Sequence, residues 1–276
     1  MSYFTSPHYK YQILKIHNNA LDQWVQPNDQ IYIQTRQGKT FAIASGNIKN
    51  PPVILIHGSG SNSNMWLNDA RILSDSYRVY AIDIPGDAGK SEEYRASWEN
   101  NDYIEWLEDI YNYLNINRAI VIGISIGGWI SVKWASHYPE KVSKLVLLCA
   151  SGFATPRISF IFKAIFLTFL GNYGQKKMEQ MIFHSKNIDS QTSEYFKLIS
   201  KGFKPRKGFP PLFTDEELNI ISMPLLYLGG DHDVLIDIEK TVQRIKRIIP
   251  QSNIKIIKNM GHAITNVTEE ISTFIK

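Results

Sequence analysis

Residues 119–130 read Ala119-Ile-Val-Ile-Gly123-Ile-Ser125-Ile-Gly127-Gly128-Trp129-Ile130. An apolar, largely β-branched run enters Gly-x-Ser-x-Gly, and a helix-like apolar segment begins at Ile126. A strand that passes straight into a helix must turn sharply. Gly123 and Gly127 lack the Cβ atoms that would collide there, and the serine at the apex takes a strained backbone. Its hydroxyl then stands at a helix N-terminus, where unpaired N–H groups and the dipole favour negative charge. The pentapeptide alone carries little weight. The strand before it and the helix after it make Ser125 a candidate nucleophile.

The same alternation extends outward from this turn. Strand-like runs fall at Ile31–Thr35, Thr40–Ala44, Val53–Ile56, Arg78–Ile82, Ala119–Ile122, Lys144–Leu148, Leu225–Leu228 and Asn253–Ile257. Several are apolar at nearly every position, as parallel strands covered on both faces should be. Helix-like segments lie between them at Asn64–Ser74, Asn101–Leu114, Ile126–His137, Ile238–Ile249 and Ile264–Ile275. In the second of these, Tyr103, Leu107, Ile110, Tyr111 and Leu114 recur at helical spacing along one face. Strand, helix, strand in succession predicts an α/β fold with a mostly parallel central sheet and helices on both faces. The rhythm breaks after the sixth strand. Residues 151–222 hold no convincing strand but include the apolar run Ile158–Leu170, expected to be a buried or pocket-lining helix, and a capping box, Thr214-Asp-Glu-Glu217. The expected organisation is an N-terminal extension over 1–30, a core over 31–150 and 223–276, and a helical cap over 151–222.

A serine hydroxyl needs a base at neutral pH, and seven histidines compete. His262, in Asn259-Met-Gly261-His262, follows the last strand and so belongs to the sheet edge where open α/β sheets bind ligands. His57 also follows a strand, but its Gly-rich setting suits backbone presentation. His232 sits between two acids as a loop residue; His8, His17, His137 and His184 have no strand-end setting and read as surface or structural. A carboxylate should orient the base. Asp231 and Asp233 both follow the strand Leu225–Leu228, and their directions cannot be read from sequence; Asp233 is the first choice and Asp231 the fallback. Asp83 and Asp237 suit loop and cap roles. Backbone donors for an oxyanion are expected from Ile126, the residue after the serine, and from Ser59 in His57-Gly58-Ser59-Gly60. Trp66 suits pocket and core equally.

Composition narrows the classes. The 276 residues carry 30 Lys+Arg against 26 Asp+Glu, an excess too small and too dispersed for a nucleic-acid footprint. The densest basic stretch, Lys201 to Lys207, reads as a solvated loop. One cysteine, Cys149, precludes an internal disulfide framework or a cysteine-rich zinc site. No metal site and no cofactor is expected. Residues 1–30 offer no signal-like apolar run and no segment is long enough to span a membrane, so the cytoplasm is the default compartment.

These motifs resemble the α/β-hydrolase superfamily from about Ile31 to Lys276. The resemblance rests on His57-Gly58, on the elbow Gly123 to Gly128, on Gly230-Asp-His-Asp233 and on Gly261-His262. Within that superfamily the chain looks like bacterial carboxylesterases of the naproxen-esterase type. The shared features are an aromatic N-terminal extension, Ile43-Ala-Ser-Gly46, Asp83-Ile-Pro-Gly86-Asp with Lys90-Ser91, Gly208-Phe-Pro and Phe213-Thr-Asp-Glu-Glu-Leu218. The resemblance implies ester hydrolysis through an acyl-enzyme, with a helical cap over the site. The apolar run Ile158–Leu170 points separately to an apolar small-molecule ester as partner, and a monomer or homodimer is the expected assembly. One departure stands out. The superfamily often has Asp-x-x-Gly-x-Gly-x-Ser after the fourth strand, and here the loop from Asp83 to Ser91 is one residue longer. Serine at the elbow also argues against dehalogenases and epoxide hydrolases of this fold, which carry Asp there.

The residues leave rivals open. The same triad serves carbon–carbon hydrolysis, amide hydrolysis and perhydrolysis, and a non-catalytic small-molecule sensor could keep the fold.

Overall fold

A computed structural model describes residues 2–276; Met1 and the side chains of Ile158 and Ile161 lie outside the described residues. Eight strands form one sheet. They are β1 (Asn28–Thr35), β2 (Gly38–Ser45), β3 (Pro52–Ile56), β4 (Arg78–Ile82), β5 (Ala119–Ile124), β6 (Val142–Leu148), β7 (Leu225–Gly230) and β8 (Asn253–Ile257). Their order is β1-β2-β4-β3-β5-β6-β7-β8. The hairpin β1–β2 is antiparallel and β2 meets β4 antiparallel, whereas β4, β3, β5, β6, β7 and β8 run parallel. The architecture is the expected mostly parallel α/β-hydrolase sheet.

Alternation of side chains splits the core into two layers. In β3, Ile54 and Ile56 face one layer, with Trp106, Ile110, Trp129 and Trp134. Val53 and Leu55 face the other, with Leu73, Ile271 and Ile275. The first layer is supplied largely by helices α3 (Asp102–Tyr113) and α4 (Ile126–His137), the second by α2 (Leu67–Leu73) and α10 (Thr268–Ile275). Helix α9 (Ile238–Ile248) contributes Ile245 to the first. Trp66 is buried in the second layer, so it belongs to the core rather than the pocket.

Helices α5 (Ile158–Thr168), α6 (Gly171–Phe183), α7 (Ser190–Gly202) and α8 (Asp215–Asn219) fall between β6 and β7. Helix α8 opens on the anticipated reciprocal cap: Glu217 N–H donates to Thr214 Oγ1 at 3.1 Å, and Thr214 N–H donates to Glu217 Oε2 at 2.8 Å. Helix α10 starts later than the sequence pattern suggests, because Asn266 adopts φ +58°, a left-handed turn that no helix can contain.

The N-terminal residues fold onto the inserted helices. Helix α1 (Pro7–Asp22) buries Ile13, His17, Ala20 and Leu21, and Ser6 caps it by accepting from Tyr9 N–H. Ahead of it, Phe4 pairs with Phe203 as an antiparallel bridge, with Thr5 N–H to Gly202 O at 2.9 Å and Lys204 N–H to Tyr3 O at 2.8 Å. This clasp is shut by the edge-on Phe4 and Phe203 rings.

Candidate active site

The elbow has the geometry its glycines demand. Ser125 sits between β5 and α4 at φ +54°, a conformation that costs a non-glycine residue roughly 1–3 kcal/mol. A Cβ on Gly127 would lie 2.3 Å from Ile56 O, one on Gly123 2.4 Å from Gly127 O, and one on Gly128 2.5 Å from the Ala150 Cβ. All three contacts are far inside van der Waals range, so β3, β5 and the loop after β6 can crowd the serine only because these side chains are missing.

Three loops then converge. His262 Nε2 lies 3.1 Å from Ser125 Oγ, and its Nδ1 lies 2.8 Å from Asp233 Oδ2. Asp233 is buried, and its other oxygen accepts from Leu235 N–H at 2.7 Å and Ile236 N–H at 2.9 Å. Burial works against the carboxylate. The His262 ring and those two amides outweigh it and hold the Asp233 pKa below the usual aspartate value. Asp231 turns elsewhere, to the exposed His232 ring at 2.8 Å and to Met260 N–H at 3.3 Å.

The other histidines are committed differently. Both ring nitrogens of the buried His57 are used, with Ile84 N–H donating to Nε2 at 2.8 Å and Nδ1–H donating to Gly58 O at 2.7 Å. His17 is fully buried, with Nε2 3.0 Å from Ser63 Oγ, and burial holds its pKa below 6.5 against the pull of Asp83. His232 stacks on His184, while His8 and His137 are exposed.

The long loop after β4 closes on itself and on the strand-end loop carrying Ser59. Asp83 accepts from Ser63 N–H at 2.6 Å and Lys90 N–H at 2.7 Å, far more than a simple loop role. Asp87, inside the lengthened segment, accepts from Gly60 N–H at 2.7 Å and Ala88 N–H at 3.0 Å. The additional length thus ends in a buried carboxylate that braces the Ser59 loop.

Ser125 and His262 open into a cavity of about 360 Å³, a size suited to a small organic ligand. Ser59 and Ile126, the expected oxyanion donors, line it as well. Other lining residues were given no site role by the sequence pattern. Leu235 and Ile236 come from the acid loop, and Phe209 and Arg206 from the segment before α8. Arg206 corrects the solvated reading of Lys201 to Lys207: its guanidinium stacks 3.7 Å from the Trp98 ring centroid and donates to Tyr103 Oη at 2.8 Å. Helix α5 also departs from expectation. None of its described side chains lines the cavity; α5 packs against α6, burying Phe160 and Leu167 and leaving Phe162, Ile165 and Phe166 exposed.

The lone Cys149 thiol joins Asp233 and His262 in a cluster whose ligating atoms lie within 4.8 Å of one another. Burial and the neighbouring Asp233 charge push its pKa well up, so it stays a neutral thiol. Asp233 and His262 meanwhile engage each other, which leaves the trio poorly suited to a metal.

The family follows from fold and likeness together: the chain belongs to the α/β-hydrolase family, whose fold model matches residues 51–181. It is a carboxylesterase-like member. It is 32% identical to the uncharacterized carboxylesterase nap of Bacillus subtilis over 94% of this chain and 90% of that one. Carboxylesterase YbfK of the same organism is 31% identical over 90% and 86%. Among solved structures, naproxen esterase from Bacillus subtilis superposes with a TM-score of 0.85 at 30% identity, covering 97% of each chain. Carboxylesterase CesB (YbfK) does so at 0.85 and 28% identity, over 97% of this chain and 98% of that one. No helix among the described residues is long and apolar enough to cross a membrane.

Proposed function

We propose that this protein is a serine carboxylesterase in which Ser125 is the nucleophile, His262 the general base and acid, and Asp233 the residue that orients His262. The observation that carries the reading is the unbroken relay Ser125 Oγ, His262 Nε2, His262 Nδ1, Asp233 Oδ2, at 3.1 and 2.8 Å, opening into the cavity. Buried Asp233 favours the tautomer with a proton on Nδ1, which leaves Nε2 free to accept the serine proton.

In this mechanism Ser125 Oγ attacks the ester carbonyl as its proton passes to His262 Nε2. The Ile126 and Ser59 N–H groups hold the oxyanion, and each such donor is typically worth about 10²–10³ in rate. His262 then delivers the proton to the departing alkoxide, and a water deprotonated by the same nitrogen releases the acid. Residues 151–222 act as a cap whose segment before α8 walls the site. With Leu235, Ile236 and Phe209 around it, the substrate is a small, largely apolar ester. Similarity to the Bacillus carboxylesterases supports ester hydrolysis as the activity.

A fluorophosphonate probe tests the assignment. The folded protein is expected to be labelled at Ser125 and to hydrolyse p-nitrophenyl butyrate, with labelling blocked by prior incubation with the ester. Folded protein that takes up no probe at Ser125 overturns it.

A further inference from the structure

Helix α5 and the start of α6 present a surface that water does not favour. Phe162, Ile165, Phe166 and Phe169 recur at three and four residues along one side, with exposures of 69, 53, 64 and 82%. Tyr173, at 68%, extends the same strip into α6. The inward side, with Phe160 and Leu167 buried, is apolar too. An exposed aromatic strip of this kind marks an interaction face.

Charge identifies what covers it. From Arg157 to Met178 the sequence holds Arg157, Lys163, Lys176 and Lys177 and no Asp or Glu. All four cations are exposed, and among the described residues none lies within ion-pair distance of a carboxylate. A second copy seated by two-fold symmetry would bring like charges together across the contact. An anionic bilayer surface matches both features, since it buries aromatic and aliphatic side chains at headgroup depth and attracts flanking lysines.

We infer that the α5–α6 hairpin docks this protein peripherally on an anionic lipid surface. The hairpin follows directly on the segment containing Ser151, Ala154 and Pro156, which line the cavity. Docking therefore holds the catalytic chamber beside the bilayer, where apolar esters partition.

Co-sedimentation tests this with two kinds of vesicle, pure phosphatidylcholine and equal parts phosphatidylcholine and phosphatidylglycerol. The protein is expected to bind the mixed vesicles at least about tenfold more tightly, and less so as salt is raised. Phe166→Ser with Phe169→Ser should abolish binding to both. Lys176→Glu with Lys177→Glu should remove the preference for phosphatidylglycerol. All these side chains are exposed and outside the cavity, so turnover of soluble p-nitrophenyl acetate and the thermal midpoint should hold, which separates lost docking from lost folding. Equal or absent binding to the two vesicles overturns the inference. So does a wild-type dimer in analytical ultracentrifugation that the Phe pair converts to monomer, because the strip then belongs to a second copy. Vesicle binding is read without turnover, so it stands or falls separately from the esterase assignment.

Discussion

Asp233 meets His262 Nδ1 at 2.8 Å, while Asp231, two residues earlier, bonds instead to His232. The pair predicts an asymmetric mutational result. Asp233→Asn removes the charge beside the ring and lets the amide favour the wrong tautomer, so kcat should fall by at least about 10³. Asp231→Asn lies outside the relay and should change kcat by less than about threefold. Steady-state hydrolysis of p-nitrophenyl butyrate by the two variants checks both, and reversed magnitudes would move the acid to Asp231.

Ser125 carries backbone strain along with its hydroxyl. Ser125→Ala should lower ester turnover by at least about 10³ with little change in melting temperature. Ser125→Gly should be as inactive yet more stable, by about 1 kcal/mol, because glycine accepts φ +54° without penalty. Calorimetry on the two variants makes the comparison.

Gly127 is a packing requirement. An alanine there would press its methyl to 2.3 Å from Ile56 O and 2.4 Å from His57 O, both unyielding backbone. Gly127→Ala should destabilise the fold by about 1–3 kcal/mol or more and displace the elbow. A lowered denaturation midpoint together with lost activity is the expected result.

His17 links stability to acid. The unfolded chain takes up a proton at this ring near pH 6.5, whereas burial lowers the folded-state value. Stability is therefore complete above pH 6.5 and is lost as the pH falls through and below it. Thermal midpoints between about pH 7 and pH 5 should drop steeply for the wild type and less for His17→Gln, which has no ring proton to gain. Parallel slopes for the two proteins would contradict this.

Much of the architecture was legible because several strands bury both faces and announce themselves as short apolar runs. All eight strands were visible, including β1 and β8, which are largely exposed or only partly buried, as were the elbow and the Thr214 capping box. Helix α1 was missed although its signals were present: Ser6-Pro7 at the start and Ile13, His17, Ala20 and Leu21 on one face. The polar His17 at a buried position hid the stripe. Of the candidate site, sequence supplied loop positions rather than directions, and so could not separate Asp231 from Asp233. Arg206 and Phe209 come from an irregular segment without periodicity, where only tertiary contacts decide which side chains turn inward. Helix α5 misled for a different reason. Hydrophobicity is read along a chain without its surroundings, and an apolar residue counts the same whether it meets a pocket or an outer surface.

The clasp between Phe4 and Phe203 ties the opening residues to the strand of chain that leads into Arg206 and Phe209. A tag fused ahead of Tyr3, or a protease nick near Thr5, would slacken that wall while leaving the reacting groups where they are. Entry to the cavity and reactivity within it would then answer to separate contacts, so that loosening the Phe4–Phe203 clasp retunes what enters without dulling what happens inside.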